Sequence, residues 1–200
     1  MKKAIVKDTL RLAAITLIAA LLLALVYQLT KDVIAEAEAA ERMESFHAVY
    51  PEAESFEKID GNLVSDWNAA HSTNAVIEGY DALDGEGNRT GIVLSVVSHN
   101  GYGGDVVLSV GFGPDCTVTN VKVTSMSETS GLGANCTKAE WVAQFSGKNA
   151  DSISFVKNGN PADDEIDAIT GATITTKAVL EAVNNGIAFA KDYFGGEDLK

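Results

Sequence analysis

The residues best placed to do chemistry are threonines near the C-terminal end of the 200-residue chain. Thr170, Thr173, Thr175 and Thr176 surround the predicted start of the last helix. Free backbone N–H groups and the positive end of the helix dipole favour an anion there, which makes this a natural place for a phosphate. Threonine is also a common helix cap, and residue types alone favour that simpler role.

A motif makes the interpretation of this segment more specific. Residues Asp167 to Thr173 read D-A-I-T-G-A-T, which resembles the D-x-x-[ST]-G-A-T motif of the FMN-binding domain family. In that family a flavin transferase joins FMN, through its phosphate, to the hydroxyl of the final Thr. The resemblance therefore implies covalent FMN on Thr173, with Asp167, Thr170, Gly171 and Ala172 at the other motif positions.

A second motif lies at residues 128–133. Its sequence, E-T-S-G-L-G, looks like the E-T-P-G-L-G loop of the G subunit in Rnf complexes and of the related C subunit in sodium-pumping quinone reductases. Ser130 replaces the usual Pro and removes no functional group. In the family this loop lies against the flavin ring, where glycines admit a flat ligand and Leu132 can pack on its face. The cofactor-binding residues expected from the two motifs are Thr173, Asp167, Thr170, Gly171, Ala172, Thr176, Glu128, Thr129, Gly131, Leu132 and Gly133.

The resemblance extends from the N-terminal apolar run to about residue 190. Residues 101–104, G-Y-G-G, are similar to another segment of the family, although a structural turn is the favoured interpretation there. The length of the chain and its single apolar run resemble the Rnf subunit more than the longer quinone-reductase subunit.

Other kinds of site find no support in the sequence. There is no P-loop and no G-x-G-x-x-G motif, and the three histidines lack metal-ligand spacing, so no metal is expected. No catalytic residue is expected either, because an electron relay needs no acid–base pair. The net charge of −13 argues against a nucleic-acid partner. Cys116 and Cys136 are too few for an ordinary iron–sulfur cluster, and either a disulfide or two separate thiols is consistent with the sequence.

The elements that must position the motifs suggest an α+β domain with a twisted, largely antiparallel sheet and packed helices. Alternating or β-branched runs separated by short turns predict strands at 75–80, 90–99, 105–112, 117–126 and 151–156. A helix is predicted from Thr137 to Phe145, with Thr137 and Glu140 forming a capping box. The last helix is predicted to begin near Ile174 with one apolar face.

The N-terminal segment carries the signal of a membrane anchor. Residues 12–30 are 19 uncharged, mostly apolar residues, which span about 28 Å as a helix. Basic residues precede this run and acidic residues follow it, so the N-terminus is expected in the cytoplasm and the rest outside. A cleaved signal peptide is the alternative. The predicted divisions are a cytoplasmic N-terminus and anchor at 1–31, a membrane-proximal helical linker at 32–73 and an extracytoplasmic FMN-binding domain at 74–200.

The resemblance implies a function as an electron-transfer subunit with covalent FMN in a membrane-bound, ion-translocating ferredoxin:NAD oxidoreductase of the Rnf type. The expected partners are the other membrane subunits, a flavin transferase for maturation and the lipid bilayer around residues 12–30. One alternative is the FMN subunit of a sodium-pumping quinone reductase, or a stand-alone exported flavoprotein. A different class of alternative is an anchored, non-redox binding module in which Thr173 only caps a helix.

Overall fold

One long helix, α1, runs over Lys2–Val49 and contains the apolar run predicted as the anchor. The computed structural model describes residues 2–157 and 159–195, and residues 1, 158 and 196–200 of the predicted divisions lie outside this part. Within the described part, α1 is the one helix long and apolar enough to cross a membrane. The helix ends just before Pro51, because proline cannot continue it.

The chain divides into two compact units, Met1–Met43 and Glu44–Lys200, and the division falls within α1. The first unit is helical, and its most apolar stretch has no buried residue. The exposed side chains there include leucines and isoleucines in successive turns. A helix that is apolar on all sides and buried on none is the pattern expected of a membrane span.

The second unit is built on a five-stranded antiparallel sheet whose strands follow one another in chain order. Four of them are the predicted strands of the meander, which the structure confirms, and β1 is an additional edge strand. The strands are β1 (Ser55–Lys58), β2 (Val76–Leu83), β3 (Arg89–Ser98), β4 (Val106–Phe112) and β5 (Val118–Ser125). Short turns join β2 to β3 and β4 to β5, as expected for antiparallel neighbours.

The last helix covers one face of this sheet. Helices α2 (Gly61–Ala70), α3 (Ala139–Val142) and α4 (Thr173–Gly195) follow in chain order, and α4 packs against β3 and β4. The predicted apolar face of α4 is buried, including Val179, Val183 and Ile187. Trp67 of α2 donates its indole N–H to Asp192 of α4 at 2.7 Å. This packing holds α4 against the sheet along its middle and C-terminal turns.

The opposite face of the sheet is covered by residues that the sequence analysis assigned to a linker. Phe46 and Val49, at the end of α1, are fully buried with Tyr80 and Val93. Val93 points away from its neighbours Ile92 and Leu94, which belong to the other core cluster, because successive strand residues face opposite sides. The compact unit therefore starts at Glu44 rather than at the predicted residue 74. The predicted roles of the parts of the chain, as an anchor, a linker and an FMN-binding domain, stay predictions.

The segment after β5 departs most from the predicted elements. The helix predicted from Thr137 to Phe145 is broken into a 3-10 turn at Gly133–Thr137, the short α3, and a second 3-10 turn at Ala143–Phe145. The predicted capping box is wrong, because the Thr137 hydroxyl donates backwards to the Ala134 carbonyl at 3.0 Å. Lys138 occupies the N-cap of α3 without a side-chain hydrogen bond.

A small parallel pair of strands leads into α4. It consists of β6 (Ser154–Val156) and β7 (Glu165–Asp167), of which only the first was predicted. The two cysteines are separate free thiols, Cys136 buried and Cys116 half-buried. Burial raises the pKa of the Cys136 thiol to about 11, and the charge of Glu128 adds to this increase.

Candidate functional site

The turn between β7 and α4 places Thr173 at the first position of the helix. Gly171 has φ +77°, a left-handed conformation that is costly for a residue with a Cβ. Next to it, the Ala172 N–H donates to the Ile169 carbonyl at 3.0 Å, which closes the turn. The buried Thr176 hydroxyl accepts from the Ile169 N–H at 3.1 Å and donates to the Ala172 carbonyl at 3.0 Å. Thr176 therefore locks the turn from inside and does not face a ligand.

Thr173 forms part of the wall of a cavity of about 510 Å³. Three segments of the chain line this cavity: the loop after β3, the loop after β5, and the start of α4. Its lining residues are Tyr102, Glu128, Thr129, Leu132, Gly133, Gly171, Ala172, Thr173, Ile174 and Thr175. Small-molecule and cofactor sites are commonly about 300–1,000 Å³ with mostly apolar walls, and this cavity has both properties.

The loop after β5 presents an apolar side chain next to the turn before α4. The Leu132 and Ala134 N–H groups both donate to the Thr129 carbonyl at 3.1 Å. The Asn135 side-chain amide donates to the Gly131 carbonyl at 3.0 Å. These bonds fold the loop tightly, and Leu132 stays 46% exposed at its tip. A Cβ added at Gly171 would lie 3.3 Å from the Leu132 Cδ2, so the two walls of the cavity almost touch here.

Glu128 connects all three walls of the cavity. Its Oε2 accepts a hydrogen bond from the Thr175 hydroxyl of α4 at 2.6 Å. Its Oε1 accepts from the Gly103 N–H, in the loop after β3, at 3.1 Å. Both carboxylate oxygens are thus used by donors of the protein itself.

Four residues predicted from the motifs do not line the cavity in the described part of the chain. They are Asp167, Thr170, Gly131 and Thr176. The Asp167 side chain accepts from the Gly159 N–H at 2.9 Å, which ties β7 to the loop before it. Thr170 is exposed beside a separate shallow surface near Trp141. The other seven predicted residues, Glu128, Thr129, Leu132, Gly133, Gly171, Ala172 and Thr173, line one cavity.

Three lining residues were not among the predicted site residues: Tyr102, Ile174 and Thr175. Tyr102 had a signal, because a single aromatic residue among three glycines is unusual for a plain turn, and it is strongly exposed. Thr175 belongs to the threonine cluster but was not separated from its neighbours. Ile174 carried no signal, because an isoleucine in the first turn of an amphipathic helix normally belongs to the buried face.

The residues present fit a flavin mononucleotide. Tyr102, Leu132 and Ile174 are three exposed side chains with large apolar surfaces, and together they suit the flat face of an aromatic ring. Thr173 places a hydroxyl at the N-terminus of a 23-residue helix, where the dipole stabilises a phosphoryl group. The Gly133 backbone is buried in the wall and leaves its side-chain space to Glu128 and Thr175.

Comparison with known proteins agrees with this geometry. Residues 101–188 match the FMN-binding domain family, and residues 1–49 match the RnfG N-terminal region. The fold is similar to the crystal structure of the C subunit of Na⁺-translocating NADH-quinone reductase from Parabacteroides distasonis. That similarity has a TM-score of 0.53 and 20% identity over 73% of this chain and 80% of that one.

Two curated relatives cover nearly the whole chain. One is the G subunit of the proton-translocating ferredoxin:NAD(+) oxidoreductase complex of Clostridium ljungdahlii, 32% identical over 90% of this chain and 88% of that protein. The other is the G subunit of the ion-translocating oxidoreductase complex of Methanosarcina acetivorans, 34% identical over 94% of this chain and 95% of that protein. The chain therefore belongs to the family of G subunits of the Rnf-type ion-translocating oxidoreductase complexes.

Proposed function

We propose that this chain is an electron-transfer subunit of a membrane-bound ferredoxin:NAD oxidoreductase complex and carries FMN as a phosphoester on Thr173. The observation that carries the proposal is the position of Thr173. It is the first residue of α4 and part of the wall of a 510 Å³ cavity with large exposed apolar side chains. The Clostridium ljungdahlii relative is named as a subunit of such a complex, and the Methanosarcina acetivorans relative as a subunit of an ion-translocating oxidoreductase complex, which supports this role.

Each wall of the cavity has a separate task in this proposal. FMN supplies the reversible redox chemistry when it is bound. The side chains of Leu132, Ile174 and Tyr102 cover a flat ring and exclude water from it. The first turn of α4 stabilises the phosphoryl group through its free N–H groups and its dipole. Since the ester holds the cofactor, no lysine or arginine is needed, and the lining contains none.

The proposal also assigns a location to each part of the chain. Residues 12–30 of α1 cross the bilayer once, and the basic residues before them keep the N-terminus in the cytoplasm. The cavity then lies outside, where a covalent bond prevents loss of the cofactor. A flavin transferase is required for maturation, and the electron donor and acceptor are other membrane subunits of the complex.

The test is flavin fluorescence of the denatured protein band after co-expression with a flavin transferase. The wild type is expected to fluoresce, Thr173→Ala to be dark, and Thr173→Ser to keep part of the signal because serine also offers a hydroxyl. Thr173→Ala should change stability by only about 0.5 kcal/mol, because Thr173 is the half-buried first residue of α4 and alanine is a good helix former. Thr137→Ala is the control and should fluoresce like the wild type, since Thr137 is an exposed threonine outside both motifs and outside the cavity.

Two results would contradict the assignment. A fluorescent Thr173→Ala band would move the attachment to another residue. A dark wild-type band, with the transferase active on a second substrate protein, would leave the anchored, non-redox binding module as the better account.

A further inference from the structure

The Glu128 carboxylate lies where the three walls of the cavity meet. Its Oε2 accepts from Thr175 at 2.6 Å, and its Oε1 accepts from the Gly103 N–H at 3.1 Å. One side chain therefore connects the loop after β5, the start of α4 and the loop after β3. Hydrogen bonds to an ionised acceptor are roughly twice as strong as neutral ones.

The Thr175 hydroxyl on α4 depends on this contact. Thr175 is only 1% exposed, so its hydroxyl is withdrawn from water and needs an acceptor inside the protein. Glu128 provides that acceptor at a short distance. Thr175 lies in the same helical turn as Thr173, so the contact restrains the part of the helix that bears the proposed attachment hydroxyl.

The second hydrogen-bond partner of Glu128, the Gly103 N–H, lies next to an exposed aromatic residue. Gly103 directly follows Tyr102, whose ring lines the cavity and is 71% exposed. The Gly103 N–H is therefore a fixed point next to an aromatic side chain that has little packing of its own. Loss of the Glu128 contact would free the tip of this loop.

Two glycines make room for the carboxylate. A Cβ on Gly133 would lie 2.5 Å from the Thr175 Oγ1 and closer still to the Glu128 Oε2. A Cβ on Gly101 would lie 2.8 Å from the Glu128 Oε1. These distances are shorter than real Cβ contacts, so glycine at these two positions gives the carboxylate its place. The glycines of the two loop motifs thus serve the glutamate as well as a ligand.

We propose that Glu128 is a positioning residue, which fixes the Tyr102 loop and the first turn of α4 so that Thr173 faces the cavity in one geometry. It acts through Thr175 and Gly103, whose hydrogen bonds hold both of its oxygens in place. The part that concerns Thr173 rests on the proposed function. The bridge between the three segments does not, and can be measured without flavin.

The variants separate the two sides of the bridge. Glu128→Ala removes both contacts. Glu128→Gln keeps one acceptor oxygen for the Gly103 N–H, but its NH₂ group is a donor and cannot accept from the Thr175 hydroxyl, so this variant loses the helix side of the bridge. Thr175→Val removes only the helix side of the bridge with little change of shape, and Thr175→Ser restores the hydroxyl. Glu140→Ala, an exposed carboxylate on α3, is the control.

The first measurement is hydrogen exchange of the flavin-free full chain in detergent, read from peptides covering residues 99–106 and 127–135. Glu128→Ala should exchange at least about tenfold faster than wild type in both peptides, since a bond to a charged group is lost. Glu140→Ala should match the wild type in both peptides, and Glu128→Gln should match it in residues 99–106, where the contact with the Gly103 N–H is kept. Thr175→Val should affect residues 127–135 more than residues 99–106, and Thr175→Ser should be close to wild type.

The second measurement is the covalent flavin fraction and the absorbance spectrum of the same set. Lower incorporation or a shifted spectrum is expected in Glu128→Ala and Thr175→Val, with recovery in Thr175→Ser. Unchanged exchange in Glu128→Ala would overturn the positioning role, whatever the flavin content. If Glu128→Ala fails to fold, the comparison of hydrogen exchange in Thr175→Val and Thr175→Ser tests the positioning role instead. Equal exchange in these two variants would overturn it. A wild type without flavin would instead refute the proposed function. The exchange data would still test whether Glu128 holds the three segments together.

Discussion

Three threonines in one helical turn have three different environments. Thr173 is half-buried on the cavity wall, Thr175 is buried against Glu128, and Thr176 is buried against the turn before the helix. By residue type alone they are equivalent as candidate caps or phosphate ligands, and only the motif singles out Thr173. Their separation comes from the 100° rotation between successive helix residues, which turns each hydroxyl towards a different neighbour.

Cys136 gives a test of pH dependence at the scale of a single residue. Its thiol has a pKa of about 11 in the folded chain instead of 9.0, mainly because it is buried. The folded state therefore holds the proton more tightly than the unfolded state between these values. This contribution to stability is complete below pH 9 and is lost as the pH rises towards 11.

The expected effect is on the order of 2 kcal/mol by about pH 10.5, since one pKa unit corresponds to about 1.4 kcal/mol. We therefore expect the difference in thermal midpoint between wild type and Cys136→Ala to narrow between pH 8 and pH 10.5. Both tryptophans, Trp67 and Trp141, lie in the second unit, so their fluorescence reports its unfolding in the full chain. A constant difference across this range would mean that Cys136 titrates normally.

The turn before α4 has its effect at the scale of the element. Gly171 reverses the chain with a positive φ, and Ala172 and Thr176 close the turn by hydrogen bonds, so that the helix begins at Thr173. A residue with a Cβ at Gly171 would be strained and would approach Leu132. The direction in which the first turn of α4 points thus depends on one glycine.

Gly171→Ala should lower both stability and flavin attachment. Gly87→Ala is a matched control, because Gly87 also has a positive φ, of +83°, but lies in the turn between β2 and β3 with nothing near its missing Cβ. Each change should cost about 1–2 kcal/mol of backbone strain. Only Gly171→Ala should reduce the fluorescence of the denatured flavin band. Equal flavin content in the two variants would show that the turn does not orient Thr173.

The second unit needs the end of α1 at the scale of the whole molecule. Phe46 packs on Tyr80 with ring centroids 4.7 Å apart, and Val49 is fully buried. The Thr119 hydroxyl of β5 donates to the Val49 carbonyl at 2.6 Å. The anchor helix therefore ends as a part of the core on the second face of the sheet.

Two truncated chains test this arrangement. A chain that starts at residue 44 should fold, because it keeps the whole second unit. A chain that starts at residue 51 should lose at least about 3 kcal/mol, since deletion of a buried phenylalanine side chain alone costs about that much. Urea unfolding followed by tryptophan fluorescence measures the difference. Equal urea midpoints for the two chains would show that residues 44–50 contribute nothing to the core.

The sequence by itself determined the elements whose pattern is local. The apolar run of α1, the four-strand meander and the buried face of α4 follow from hydrophobic periodicity and from turn residues. The two motifs also identified seven of the ten residues that line the cavity. Local pattern was misleading at Thr137, where an apparent capping box lies in a 3-10 turn.

Only the tertiary structure decided which motif residues meet. Asp167 and Thr170 belong to the same seven-residue motif as Thr173, yet their side chains point to other parts of the protein. Tyr102 and Glu128 are far from Thr173 in sequence and lie beside it in the fold, because the antiparallel sheet brings its loops to the start of α4. Such contacts depend on how strands pair and how a helix packs across them, and no spacing along the chain specifies that.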